Sequence, residues 1–359
     1  MKKIITNIFA LSLLMVMVGC SSNESTSRPK KSSSAESESS QESSQASSSQ
    51  SSSSSEDEDL DDGREVRQNQ LYTDAGLKVE FSTTGASISK ISWNNTQIAK
   101  DGFVVGRCAN RIANGHFEID GTGYDVSKND NNKHSLHGGS GSGFNSWRGP
   151  FATKTWEKDG EQTASSITFK YVSADGENGY PGEMTMRVKY TLKQSGELSI
   201  EYTATTTAAT LCNPTNHLYM NLNGTSNYDD LNLMIDADSY TPLDGDKLPT
   251  GTVATVENTI YDYRTEQAFR KNEEYDDNYV LNGTGYRKVA SMTGTSLNIK
   301  VDVFTDRPGL QLYKAGSGSV CLESQMMPDA INHDNFADPI LRPGEEFKSK
   351  TTYAFTKLA

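Results

Sequence analysis

The chain has 359 residues, with 34 Lys+Arg against 47 Asp+Glu and a formal net charge of −13. This acidic balance, with no basic stripe to neutralise phosphates, argues against a nucleic-acid partner. Five His and four Cys without a CxxC pair argue against a zinc or iron–sulfur protein, so no metal is expected.

Lys2 and Lys3 precede an apolar stretch, Ile4 to Val18, broken only by Thr6, Asn7 and Ser12. It is shorter than the ~20 residues of a membrane span and suits the h-region of a signal peptide. Met17-Val18-Gly19-Cys20 resembles a bacterial lipobox, which implies removal of the leader 1–20 and lipidation of Cys20. Ordinary signal cleavage with an incidental Cys is the other reading. From Ser21 to Ser55, 20 of 35 residues are Ser, too polar to bury a core, so a disordered tether is predicted. The acidic run Glu56 to Asp62 repels itself and extends the tether. The expected organisation is signal peptide 1–20, linker 21–70 and a folded domain 71–359. The domain would be held at the extracellular face of the membrane by a lipid on Cys20, as in Gram-positive surface lipoproteins. Cys108, Cys212 and Cys321 remain, an odd number, so at least one thiol is free or pairs with another chain. Without a disulfide framework the domain must rest on its core, which about 290 residues can supply.

From Leu71 onward strand signals recur, with the period of half-buried strands. Leu77 to Phe81, Ile88 to Trp93, Ser166 to Val172, Met184 to Leu192 and Leu198 to Tyr202 all read this way. Lys193-Gln194-Ser195-Gly196 between the last two is a hairpin signal. Leu297 to Val303 and Gly309 to Tyr313 continue the pattern. No long apolar stripe of helical period and no βαβ alternation is visible. The prediction is an all-β domain, a large antiparallel sandwich.

Four segments break the alternation. In Gly106 to Gly115, Arg107 and Arg111 sit in a small, apolar run and need acceptors. His134 to Phe144 is rich in Gly and is followed by Trp147. It lacks the strand–helix context of a dinucleotide fingerprint, but its backbone permits close approach. In Asn213 to Leu222, His217 is a candidate proton donor, serviceable near neutrality at a reference pKa of ~6.5. In Ser319 to Gln325, Glu323 follows an apolar run, and a buried carboxylate acquires the raised pKa that a general base uses. Each also has a structural reading: a satisfied histidine, a salt-bridged glutamate, an arginine in an ion pair. Taken alone, these residues support an all-β domain with a possible carbohydrate site.

Together and in order, the segments resemble the aldose 1-epimerase (mutarotase) family. Gly106-Arg107-Cys108-Ala109-Asn110-Arg111-Ile112 is similar to its GR-x-ANRI run. Leu136-His137-Gly138-Gly139 matches LHGG, and Gly179-Tyr180-Pro181-Gly182 matches GYPG. Asn213 to Leu222 resembles N-x-TNH-x-Y-x-NL. Tyr240-Thr241-Pro242, Leu248-Pro249-Thr250-Gly251, Tyr261 to Arg264, Tyr275-Asp276, Pro308 to Tyr313, Glu323-Ser324-Gln325 and Arg342 to Glu345 follow the same pattern. The resemblance runs from about Leu77 to Thr356 and implies the galactose-mutarotase-like β-sandwich.

The resemblance makes Glu323 the general base and His217 the general acid, with His137 assisting at the sugar ring. Asn110, Arg111, Asp276 and Gln311 would bind sugar hydroxyls. The implied activity is interconversion of α and β anomers of a free aldohexose such as galactose or glucose, with no cofactor. Two positions depart from the family: Asp277, where His is common, and Met220, where Phe is common. Asp277 is expected to bear on substrate preference. Cys321, two residues before Glu323, should share its strand face. The alternatives are a non-catalytic carbohydrate-binding lipoprotein on the same scaffold, a hexose-phosphate mutarotase, and a glycosidase using Glu323 with Asp276.

Overall fold

The computed structural model describes residues 63–359; the expected leader, the expected lipidation at Cys20 and the Ser-rich stretch read as a tether lie outside the described residues. Period-two patterning gives strands wherever it was found. In Leu77–Ser82, for instance, Leu77, Val79 and Phe81 are buried and the residues between are not. The Met184–Leu192 and Glu197–Thr206 strands form the predicted hairpin, and Gly196 supplies the positive φ of its turn.

These strands build two large sheets. The first holds ten strands in the order Gln70–Tyr72, Leu77–Ser82, Ser87–Trp93, Thr96–Val105, Thr215–Met220, Ser319–Gln325, Gly309–Ala315, Asp276–Val280, Ser239–Tyr240 and Ala254–Thr255. The second holds nine, with Arg287–Gly294, Ile299–Thr305, Phe347–Lys357, Glu197–Thr206 and Met184–Leu192 at its centre. Every ladder within them is antiparallel. Among the described residues the α-helix is confined to Gly149–Thr153.

The apolar faces of the two sheets meet in one core. Phe81 of the first sheet packs on Tyr190 of the second at 4.9 Å between ring centroids. Two tyrosines also cross the interface as donors, which satisfies their buried hydroxyls. Tyr190 donates to the Ala86 carbonyl at 2.7 Å, and Tyr353 donates to the Leu322 carbonyl at 2.8 Å. The second bond fixes the backbone beside Glu323. Cys108, Cys212 and Cys321 are all buried and free.

Ordered contacts begin a few residues before Leu71, within the stretch read as linker. The Arg64 guanidinium donates to the carbonyls of Tyr72 and Leu192, tying the incoming chain to the ends of strands from both sheets.

Candidate active site

The site lies on the face of the ten-stranded sheet that points away from the core, and register places its residues. Phe103 pairs with His217 across the Thr96–Val105 and Thr215–Met220 strands. Met220 pairs with Val320. Counting three residues from that pair along an antiparallel ladder sets His217 opposite Glu323. Glu323 in turn pairs with Gln311. One transverse row therefore reads Phe103, His217, Glu323, Gln311. The same counting sets Tyr219 opposite Cys321, which pairs with Tyr313, which pairs with Asp276. That second row lies on the same face, because residues two apart in a strand point the same way.

The remaining groups arrive on loops. Arg111–Ile112 and Ser135–Leu136 pair as a short antiparallel ribbon, bringing the first two polar segments together. At its end Asn110 and His137 both adopt left-handed φ, 60° and 53°. The His137 N–H donates to the Asn110 carbonyl at 2.9 Å, and the Asn110 N–H donates to His137 Nδ1 at 3.3 Å. With Nδ1 accepting, neutral His137 carries its proton on Nε2 as a donor. Asn129 clamps this turn, donating to the carbonyls of Leu136 and Gly139 and accepting from the Leu136 N–H. The glycines that follow are required by close approach. A Cβ on Gly138 would lie 2.0 Å from the Gly106 oxygen, and one on Gly149 would lie 1.9 Å from the His137 oxygen.

The resulting cleft has a volume of about 210 Å³. All seven residues expected to react or to bind hydroxyls line it: His137, His217, Glu323, Asn110, Arg111, Asp276 and Gln311. His217 Nε2 lies 3.5 Å from Glu323 Oε1. Both are almost wholly buried. The His217 ring is stacked between Phe103 at 5.1 Å and Tyr219 at 4.8 Å, so its plane is fixed. Arg111 Nε donates to Asp130 Oδ2 at 2.8 Å, and its Nη1 stands 3.9 Å from Asp276 Oδ2. Gln311 Nε2 donates to Asp276 Oδ1 at 3.0 Å, while Gln311 Oε1 accepts from Gln325 Nε2 at 3.2 Å. The binding groups are thus held in a chain that fixes which atom of each faces the next.

Burial sets the proton affinities. Desolvation pushes the Glu323 carboxyl well above the ordinary carboxylate range, and the nearby Asp276 charge adds to the rise. Desolvation pulls His217 down to about 3. It also drives His137 well below its ordinary value, with His217 and Arg111 contributing in the same direction. The cleft accordingly disfavours separate charges on the pair and favours their sharing one proton.

Besides Leu136, three cleft residues went unassigned in the sequence. Trp147 was seen only as an aromatic beyond the Gly-rich segment; it packs edge-on against His217 and Phe103. Tyr313 also meets His217 edge-on, at 5.7 Å, and strand parity with Gln311 could have placed it. Lys247 carried no local signal. It sits in a turn with φ of 63°, and its ammonium donates to Asp276 Oδ2 at 3.0 Å.

The two departures from the family pattern do not reach the cleft. Asp277 is buried on the opposite face from Asp276, accepting from the Asp276 N–H at 3.0 Å and lying beside Tyr261. Asp277, expected to bear on substrate preference, is turned inward by strand alternation and does not line the cleft. Met220 is likewise in the core. Cys321 does share the Glu323 face, and its sulfur, a His217 ring nitrogen and a Glu323 oxygen lie within 4.8 Å of one another.

An antiparallel supersandwich with a buried carboxylate–imidazole pair in a polar cleft is an arrangement suited to acid–base chemistry. The chain belongs to the aldose 1-epimerase family, whose sequence profile matches residues 67–354, and it is an isomerase of that kind. It is 36% identical to a galactose mutarotase of Homo sapiens over 280 residues, covering 71% of this chain and 78% of that one. It is 32% identical to an aldose 1-epimerase of Escherichia coli over 289 residues, covering 72% and 81%. Among solved structures, the fold is shared with an aldose epimerase homologue from C. elegans, with a TM-score of 0.73 at 24% identity, covering 81% of this chain and 98% of that one. A galactose 1-epimerase from Lactobacillus acidophilus gives 0.70 at 24% identity, covering 82% and 98%.

Proposed function

We propose that this protein interconverts the α and β anomers of a free aldohexose, galactose or glucose, with Glu323 as base and His217 as acid. The observation that carries this reading is the 3.5 Å approach of His217 to Glu323 inside a cleft lined by hydroxyl-binding groups. Opening a cyclic hemiacetal requires a proton to leave the C1 hydroxyl while another reaches the ring oxygen. Glu323 takes the first and His217 gives the second. The freed aldehyde carbon rotates about its bond to C2, and closure on the other face reverses both transfers. His137 Nε2–H is available as a donor to the ring. Arg111, Asn110, Asp276 and Gln311 hold the remaining hydroxyls, so the sugar stays in place while C1 turns.

The electrostatics suit this sequence of events. The reacting complex starts with carboxylate and imidazolium and ends, ring opened, with both neutral. The burial that opposes charge on each group therefore favours the opening step.

Polarimetry on freshly dissolved α-D-galactose and α-D-glucose tests the reading. The purified chain should accelerate the drift to equilibrium, and Glu323→Gln or His217→Ala should each lower kcat by about 10²–10⁴-fold. Drift at the buffer rate with the intact chain would overturn it, and sugar binding without turnover would make the protein a carbohydrate-binding module.

The same proposal places the enzyme outside the cell, held by a lipid on Cys20. Its support is the leader and the Met17-Val18-Gly19-Cys20 sequence ahead of the polar tract. Labelled fatty acid should enter the parent and not Cys20→Ser, and the variant should leave the membrane fraction; equal labelling would end this part.

A further inference from the structure

The proposed catalysis uses His217 and Glu323 but leaves Cys321 unemployed beside them. We propose that His217, Cys321 and Glu323 form a binding site for a thiophilic divalent cation, Zn²⁺ above all, and that its occupancy shuts the acid–base pair off. The shut-off rests on the mutarotase reading above; the binding site does not.

The three residues offer imidazole nitrogen, sulfur and carboxylate oxygen, the donor set that zinc takes. Their ligand atoms lie within 4.8 Å of one another, and His217 Nε2 and Glu323 Oε1 are already 3.5 Å apart. Tetrahedral bonds of about 2.0–2.3 Å put ligand atoms roughly 3.3–3.6 Å apart. The nitrogen and oxygen meet that spacing as they stand, and the sulfur needs a shift of about 1 Å. Rigid elements hold the set: Cys321 and Glu323 are alternate residues of one strand, and His217 lies on its neighbour. The polar contact shown for the Glu323 carboxyl is His217 Nε2 at 3.5 Å, and the carboxyl lines the cleft. His217 and Glu323 line the cleft while Cys321 is wholly buried, so an ion reaches the set through the cleft. No other group of three such residues is drawn together among the described residues.

Binding is an exchange of cation for protons. M²⁺ displaces the Cys321 thiol proton and the proton shared by Glu323 and His217, releasing two protons to solvent. Affinity should therefore rise with pH. The ion occupies the atoms that move protons during ring opening, and sugar cannot react while it is there.

The full chain is titrated with Co²⁺ as an optical probe, then with Zn²⁺ as competitor, while galactose mutarotation is followed separately in EDTA and in buffered Zn²⁺. A thiolate-to-cobalt absorption band, lost on adding Zn²⁺ and absent in Cys321→Ser, is expected. Cys321→Ser should keep mutarotation within about twofold in EDTA and should require on the order of a hundredfold more Zn²⁺ for inhibition. Cys321→Ala is carried alongside, with melting curves for both variants, so that a folding defect is recognised. No cobalt band in the parent, or equal Zn²⁺ sensitivity in parent and variants, would overturn the site. A cobalt band with undiminished turnover would overturn the shut-off. The optical titration needs no turnover, so a failure of the mutarotase reading leaves the binding result intact.

Discussion

His217 and Glu323 are perturbed in opposite directions, the histidine downward and the carboxyl upward, chiefly because both are removed from water. Their pair therefore keeps one proton over a wide span of pH. The free enzyme's kcat/KM should follow a bell. Its acid limb should lie below the ordinary histidine value of ~6.5, and its alkaline limb should be set by the raised carboxyl. Asp276→Asn removes the negative charge that helps raise Glu323, so its alkaline limb should move to lower pH while KM rises; an unmoved limb would show that Asp276 acts on binding alone. The same perturbation costs stability. Folded Glu323 binds its proton more tightly than the unfolded chain does, so stability is full below the unfolded carboxyl value and falls as pH rises toward the folded one. Glu323→Gln should consequently melt at a higher temperature than the parent at neutral pH, with the gap closing as pH falls. A lower Tm for the variant at neutral pH would contradict this.

At the scale of elements, the strands place the reacting pair and the loops complete the cleft. Gly149 opens the short helix after the Gly-rich loop, at φ of 84° and against the His137 carbonyl. Gly149→Ala should displace His137 and lower kcat about tenfold or more, since a small misplacement at a reacting centre is costly, with the far-ultraviolet spectrum unchanged. The turn bearing Lys247 acts on binding through Asp276. Lys247→Met should raise KM several-fold, in the range of about 1 kcal/mol for one hydrogen-bonded contact, and leave kcat near the parent's. The sequence was legible to unequal depth here. Glu323 and His217 stood out because polar residues interrupted apolar runs, and their shared face followed from strand parity. The same parity turns Asp277 inward, away from the cleft. Lys247 and Asp130 were invisible, because their roles depend on where a turn and a loop come to rest against Asp276 and Arg111. Two-sheet architecture followed from alternation and from resemblance, whereas strand order, which sets the catalytic rows, is a long-range property that no local pattern carries.

Across the whole molecule, the cleft draws its groups from residues between Asn110 and Glu323. Removing residues 1–62 should therefore leave kcat/KM unchanged in solution; a drop would mean that the tail contributes to the site. The Tyr353 hydroxyl bridges the core between the sheets beside Glu323. Tyr353→Phe leaves the Leu322 carbonyl without its donor and should cost about 1–3 kcal/mol in denaturant titration. The transverse rows have a kinetic consequence as well. Phe103, His217 and the Gln311–Glu323 hairpin become neighbours only when strands from three distant parts of the chain have docked in register. Closing such distant loops is slow, whereas hairpins such as Met184–Leu192 with Glu197–Thr206 can form early. Catalysis is thus a clock for the last stage of refolding: after dilution from denaturant, mutarotation should return later than the circular dichroism of the sheets.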